Sequence, residues 1–225
     1  MSVRLRLRAR GCRAQISIGS GARARDLPRL RLVGERGGQV AIRIGDGVDL
    51  GRAMLIDIAA DRVSELSIGS ESGFEFGTRI QLFGGRITLD SGCDIRDGVL
   101  LKASTDADLQ LGDRVRVGRH AAIHCTSSIV IEDLVALSER VTVVDSTHDV
   151  DGGDTWTMEQ PLAVAPVVIG RNVIVYSGSV ILPGTTLGAN SVVAANALVP
   201  AGVHPAGVVL MGNPARKVRK LGSGE

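Results

Sequence analysis

His148 stands at the one place where this 225-residue chain breaks its own repeat. A histidine with the ordinary pKa of about 6.5 is mostly neutral, and so basic, near pH 7, which suits it to take a proton from a reacting hydroxyl or amine. Two carboxylates lie near it in sequence. Asp145, three residues before it and expected in the same outward strip, either orients the ring or only solvates a corner, and Glu159 either reaches back to the ring or stays in water. A second group, His120, His124 and Cys125, has the residue types of a zinc site. These residues fall at different positions of successive six-residue units and point to different faces, so no metal is expected. They are instead candidates for binding a substrate, one turn below His148. Trp156 offers either an anchor for its loop or a stacking platform for a sugar ring.

The elements that must position these residues follow from a period of six. From Ile44 to Val203 an aliphatic residue recurs at nearly every sixth position, with a small or β-branched residue four places later: Leu111/Val115, Val117/Ala121 and Ile123/Ser127, then Ile131/Val135, Leu137/Val141 and Val143/Thr147, and later Val175/Ser179, Ile181/Thr185 and Leu187/Ser191. No helix has that period. It fits a short strand plus a corner, in which alternate side chains face a common core. Three hexads make one coil of a triangular prism, and apolar residues two places ahead of each set (Ile87, Leu109, Ile129, Val167) mark two-residue corner insertions. Repeats of this kind signal a solenoid. The chain holds about eight or nine coils, which at about 4.8 Å per strand gives a prism roughly 40 Å long.

Composition agrees. One Trp, one Tyr and three Phe suit a core too narrow for large rings, and many of the 29 Gly fall at the second hexad position, where glycine allows the backbone angles a corner can need. A net charge of +2 is too balanced for an electrostatic nucleic-acid binder. No apolar run approaches the roughly 20 residues of a membrane span, and the N-terminus, interrupted by arginines, lacks a signal-peptide core. Three unpaired cysteines suit a reducing, cytoplasmic setting.

A single domain is expected over residues 1–225, with 1–40 as an irregular cap and first coil and 212–225 as a short C-terminal helix or tail. After His148 about eighteen residues, 149–166, interrupt the stack. Loops of that length in a compact domain are uncommon and usually functional or disordered. The hexad register puts His148 at an outward sixth position, on the prism surface beneath this loop.

Four segments carry a resemblance: Val141 to His148, the run Pro166-Val167-Val168-Ile169-Gly170-Arg171-Asn172-Val173-Ile174-Val175, the run Ile181-Leu182-Pro183-Gly184-Thr185-Thr186-Leu187-Gly188, and Gly212-Asn213-Pro214-Ala215-Arg216. In this order they resemble the hexapeptide-repeat acyltransferases, in particular the maltose/galactoside and polysaccharide O-acetyltransferase branch. The resemblance implies an all-β, left-handed parallel β-helix, although ordinary parallel crossovers are right-handed. It also implies a homotrimer, acetyl-CoA as acyl donor in a groove between prisms, and His148 as general base towards a sugar or polysaccharide hydroxyl. Ser177 matches the position whose backbone N–H faces the oxyanion, and Arg216, Lys217 and Arg219 are candidates for the CoA phosphates, unless they form only a solvated face. Tyr176 stands where the family usually has glycine, and there it either narrows the donor groove or offers a different stacking surface. The rival readings are an N-acetyltransferase on an amino-sugar nucleotide, a γ-carbonic-anhydrase-like zinc enzyme and a silent trimeric scaffold.

Overall fold

The computed structural model describes residues 3–9, 12–33 and 37–222, so the remaining parts of the expected cap (1–40) and tail (212–225) lie outside the described residues. The chain winds as a left-handed parallel β-helix with three flat faces. The first face runs from Cys12–Ile18 through Gln39–Ile44, Val63–Ile68, Gly85–Leu89, Asp108–Leu111, Ser128–Ile131, Val167–Ile169 and Thr185–Leu187 to Gly202–His204. The second begins at Arg23–Ala24 and the third at Arg29–Val33, and every coil visits the faces in that order. Eight full coils are followed by a ninth that stops on the second face at Val208–Gly212.

Stacking in register is what lets so narrow a core exclude water. Leu89, Leu111, Ile131, Ile169 and Leu187 sit directly above one another on the first face, all buried. Each coil buries its aliphatic edge only against its neighbours, so both ends need covering. Val3–Ala9 pairs antiparallel with Cys12–Ile18 at one end, and Ala215–Lys220 pairs antiparallel with Val208–Gly212 at the other. The expected C-terminal helix is therefore a strand. Only Ala215 of it is buried, and its ladder with Val208–Gly212 takes up backbone groups that a helix would satisfy internally.

The hexad register fails in one systematic place. Thr147, at the inward position of its hexad, is exposed, as is Thr105 at the matching position of the pair Leu101/Thr105, while Ser127 is only half-buried. The buried residues are instead Ala103, Cys125 and Asp145, two positions earlier. The third-face strands Leu100–Ala103 and Ala122–Cys125 run one alternation longer than a hexad allows before turning, which absorbs the two-residue insertion. Where that insertion is absent, between Ile181 and Thr185, both members of the pair are buried as expected.

The corner glycines are required for a reason other than backbone angle. A Cβ on Gly170 would lie 2.6 Å from the Leu187 carbonyl oxygen of the next coil, whereas the residue in the left-handed region is Asn172, with φ of 56°. Close stacking excludes a side chain at the first position, and an asparagine tolerates the turn at the second. Gly170→Ala should therefore cost about 1–3 kcal/mol through overpacking against backbone, while Asn172→Gly in the same corner should leave the thermal midpoint within a degree or two. Unfolding midpoints of the two variants check this, and equal losses would refute it.

Candidate active site

The third-face strand of the sixth coil, Thr142–Val144, is followed by departure from the prism. The parallel ladder pairs Ala122, Ile123 and His124 with Thr142, Val143 and Val144. One step further, Asp145 stands above Cys125 and points inward, fully buried. In the coil below, the Ser104 and Asp108 N–H groups donate to the Cys125 and Ser127 carbonyls. At the next level no corner exists to supply such carbonyls, and the Asp145 carboxylate replaces them. It accepts from Thr126 N–H at 2.7 Å, Ser127 N–H at 2.7 Å and Ser128 N–H at 2.9 Å. The Thr126 and Ser146 hydroxyls bond at 2.8 Å, and the returning Ala165 N–H reaches the Asp145 carbonyl at 2.8 Å. Asp145 therefore does not share an outer strip with His148. It closes the corner from which the loop leaves.

His148 itself lies on a short strand off the prism, Ser146–His148, which pairs antiparallel with Leu162–Val164. The ring is half-buried. Its Nδ1 lies 3.2 Å from the backbone carbonyl of Gln160. A carbonyl oxygen only accepts, so Nδ1 carries the proton and the Nε2 lone pair is left to act as a base. No carboxylate takes this place. Glu159, in the single 3-10 turn Thr157–Glu159, is exposed, and among the described residues its side chain makes no hydrogen bond to His148. Val150, Trp156, Met158, Leu162 and Val164 are all exposed around the loop, so Trp156 does not anchor it by burial. Sequence reasoning missed Gln160, because a lone Gln in an irregular Asp/Gly-rich loop carries no periodic signal.

The second group separates. His120 is exposed in a corner turn with φ of 57°, and His124 is on the outer side of the third face, half-buried beside Lys102 and one coil below Val144. Burial first, and the Lys102 ammonium second, push the His124 pKa below its ordinary value, so its ring is neutral at neutral pH. Cys125 cannot line a groove. It is 1% exposed, with its Sγ 3.4 Å from the Asp108 carbonyl, and burial, with the Asp145 carboxylate as the next cause, pushes the thiol up to about 12. Among the described residues no three of His, Cys, Asp and Glu are grouped as metal ligands.

The expected donor-side residues lie on other edges. Tyr176 and Ser177 occupy the corner between second and third faces of the seventh coil, Tyr176 exposed and Ser177 half-buried. The Ser177 hydroxyl donates to Glu139 at 2.9 Å, and the Gly178 N–H donates to the Glu139 carbonyl at 3.0 Å, so that corner is clamped from below. His148 hangs from the corner between third and first faces, so one chain does not bring His148 and Ser177 together. Arg216, Lys217 and Arg219 are exposed on the terminal strand of the second face, and the consecutive Arg216 and Lys217 project to opposite sides of it.

The family model described as bacterial transferase hexapeptide (six repeats) matches residues 166–201, the stretch that rebuilds the prism after the loop. The chain is a hexapeptide-repeat β-helix. It is 31% identical to galactoside O-acetyltransferase of Escherichia coli over 121 residues, which is 49% of this chain and 56% of that protein. The chain spans somewhat over half the length of the curated relatives it matches first. Among solved structures, the N-acyltransferase AntD of Bacillus cereus, in complex with dTDP and coenzyme A, superposes with a TM-score of 0.57 at 19% identity over 70% of this chain and 84% of its own. A hexapeptide-repeat acetyltransferase of Vibrio cholerae, complexed with acetyl coenzyme A, gives 0.50 at 23% identity over 65% and 72%. At these identities the two structures bear on the fold alone. Among the described residues of this hexapeptide-repeat chain, no helix is long and apolar enough to cross a membrane.

Asp145→Ala strips three half-buried N–H groups of their acceptor, and an unsatisfied group costs about 1–3 kcal/mol where water does not reach it. We expect a loss of about 1–3 kcal/mol in unfolding free energy, with faster hydrogen exchange at Ser127 and Ser128. Wild-type protection at these two amides would show that the carboxylate does not hold the corner.

Proposed function

We propose that this chain is an acyl-CoA-dependent O-acetyltransferase that moves an acetyl group to a hydroxyl of a sugar or polysaccharide precursor, with His148 as general base. The observation that carries the reading is the bond between His148 Nδ1 and the Gln160 carbonyl, which fixes the tautomer and leaves the Nε2 lone pair as the base. A half-buried imidazole with its tautomer fixed, on a strand held outside a rigid prism, has the chemistry this transfer needs. The likeness to galactoside O-acetyltransferase supports O-transfer to a sugar, and a CoA thioester is the donor proposed here, the two proteins that share the fold having been solved with coenzyme A and with acetyl coenzyme A.

In the proposed reaction the acceptor oxygen attacks the thioester carbonyl carbon while Nε2 removes the hydroxyl proton. The oxyanion so formed collapses, the carbon–sulfur bond breaks, and the imidazolium returns its proton to the departing thiolate. The products are an acetyl ester and free CoA, with no covalent enzyme intermediate. Stabilising the oxyanion is given to the Ser177 N–H, which makes no hydrogen bond to another described residue. Since Ser177 and His148 are on different edges of one prism, this step requires two chains, and a closed C3 trimer satisfies that requirement for all three sites at once. Arg216, Lys217 and Arg219 are assigned to the CoA phosphates as charge-assisted donors, from both sides of their strand.

His148→Ala should lower kcat by about 10²–10⁴-fold, the usual contribution of a positioned general base, while the KM for acetyl-CoA and the thermal midpoint stay near wild type. Steady-state kinetics with a panel of sugar acceptors tests this, and full retained activity would remove His148 from the mechanism. Sedimentation should report a trimer. A fully active monomer would exclude a site shared between chains.

A further inference from the structure

Between residues 149 and 166 only Gln160 is buried, at 7% exposure, although the same loop leaves Trp156, Met158, Leu162 and Val164 in solvent. A loop that exposes its apolar side chains and buries an amide is not organised by a hydrophobic core, and a buried amide is costly unless its polar atoms are paired. Both ends of this one are paired. Its Oε1 accepts the Asp151 N–H at 3.0 Å, and its Nε2 donates to the Thr155 carbonyl at 3.0 Å. The Gln160 N–H donates to the Thr157 carbonyl at 3.2 Å, and next to it the Asp149 N–H donates to the Pro161 carbonyl at 2.9 Å. The residue is thus tied on both sides of the loop, and its one remaining polar group, the main-chain carbonyl, is the group that meets His148 Nδ1.

We propose that Gln160 is a positioning residue for His148: its side-chain amide cross-ties the loop so that its own backbone carbonyl selects the Nδ1–H tautomer of the catalytic imidazole. The inference rests on the acyltransferase reading for its kinetic consequence, but not for the state of the ring. The Gln160 carbonyl takes the place in which many catalytic histidines have a carboxylate. A neutral acceptor fixes the tautomer because it can only accept from a protonated Nδ1. It adds no second charge beside the acceptor hydroxyl. The amide, unlike an acid, can also donate to Thr155 and accept from Asp151 at the same time.

The test joins histidine-selective ¹⁵N NMR of the ring with steady-state kinetics, on wild type, Gln160→Ala and Gln160→Glu. In the wild type the His148 ring, assigned by comparison with His148→Ala, should show a protonated Nδ1 and an unprotonated Nε2 above its pKa. Gln160→Ala should convert this to a mixture of tautomers and lower kcat about tenfold or more, yet less than the 10²–10⁴-fold expected for loss of the base itself. The KM for acetyl-CoA and the thermal midpoint should hold, because the loop lies outside the prism core. Gln160→Glu keeps the acceptor for Asp151 and loses the donor to Thr155, so it should fall between the two. A wild-type ring protonated on Nε2 overturns the inference, as does a Gln160→Ala protein that keeps the wild-type tautomer. If the tautomer shifts as expected but the wild type transfers no acyl group, the positioning role stands and the acyltransferase reading falls alone.

Discussion

Three backbone N–H groups at one corner of the prism, those of Thr126, Ser127 and Ser128, end on the two oxygens of a single buried side chain, Asp145. At this edge of the solenoid the corner N–H groups take their acceptors from the coil above, as Ser104 and Asp108 do from Cys125 and Ser127. A chain that leaves the stack removes those acceptors from the coil below, and unpaired groups in a dry interior are costly. A carboxylate can accept several N–H bonds at once from one short side chain, which no apolar residue and no hydroxyl can match. Its presence allows the chain to step off the prism at Ser146 and return at Ala165 without opening the core. The position of His148 follows from that exit.

The chemistry proposed for His148 is built from main-chain geometry more than from charge. A carbonyl fixes its tautomer, a short antiparallel pair with Leu162–Val164 fixes its strand, and a buried amide holds the carbonyl. The groups assigned to the donor are fixed separately, at the Glu139-clamped corner that carries Ser177 and on the terminal strand that carries Arg216. Each half is rigid because it belongs to the same prism. They lie on different edges, so a rigid chain cannot close them onto each other by bending.

Much of this was legible in the sequence. The aliphatic period of six reports burial directly, and it located the three faces, the core and the interrupting loop. It misassigned the third-face corners because two inserted residues can either lengthen a strand or widen a turn, and the pattern of Ala103, Cys125 and Asp145 is too small or too polar to say which. That ambiguity is what placed Asp145 on the outside. The terminal strand was misread because five of its six residues are exposed, so no alternation marks it. The partner of His148 was beyond any reading of residue types, since it is a backbone atom, and every residue but proline offers the same carbonyl and N–H.

The loop's two ends meet where the Ala165 N–H reaches the Asp145 carbonyl, and the next coil then docks on the previous one as though nothing had intervened, Ile129 beside Val167 and Ile131 beside Ile169. An insertion whose ends are already joined by the scaffold can change length cheaply, since each doubling adds only about 0.6 kcal/mol of closure entropy. Such a joint separates two kinds of inheritance in one chain. Substitutions within the coils answer to stacking and are tightly constrained, whereas the excursion, outside the Gln160 cross-tie and the strand pair of His148, can be lengthened, shortened or rewritten with little loss of prism stability, so the surface around the histidine can change while the scaffold does not.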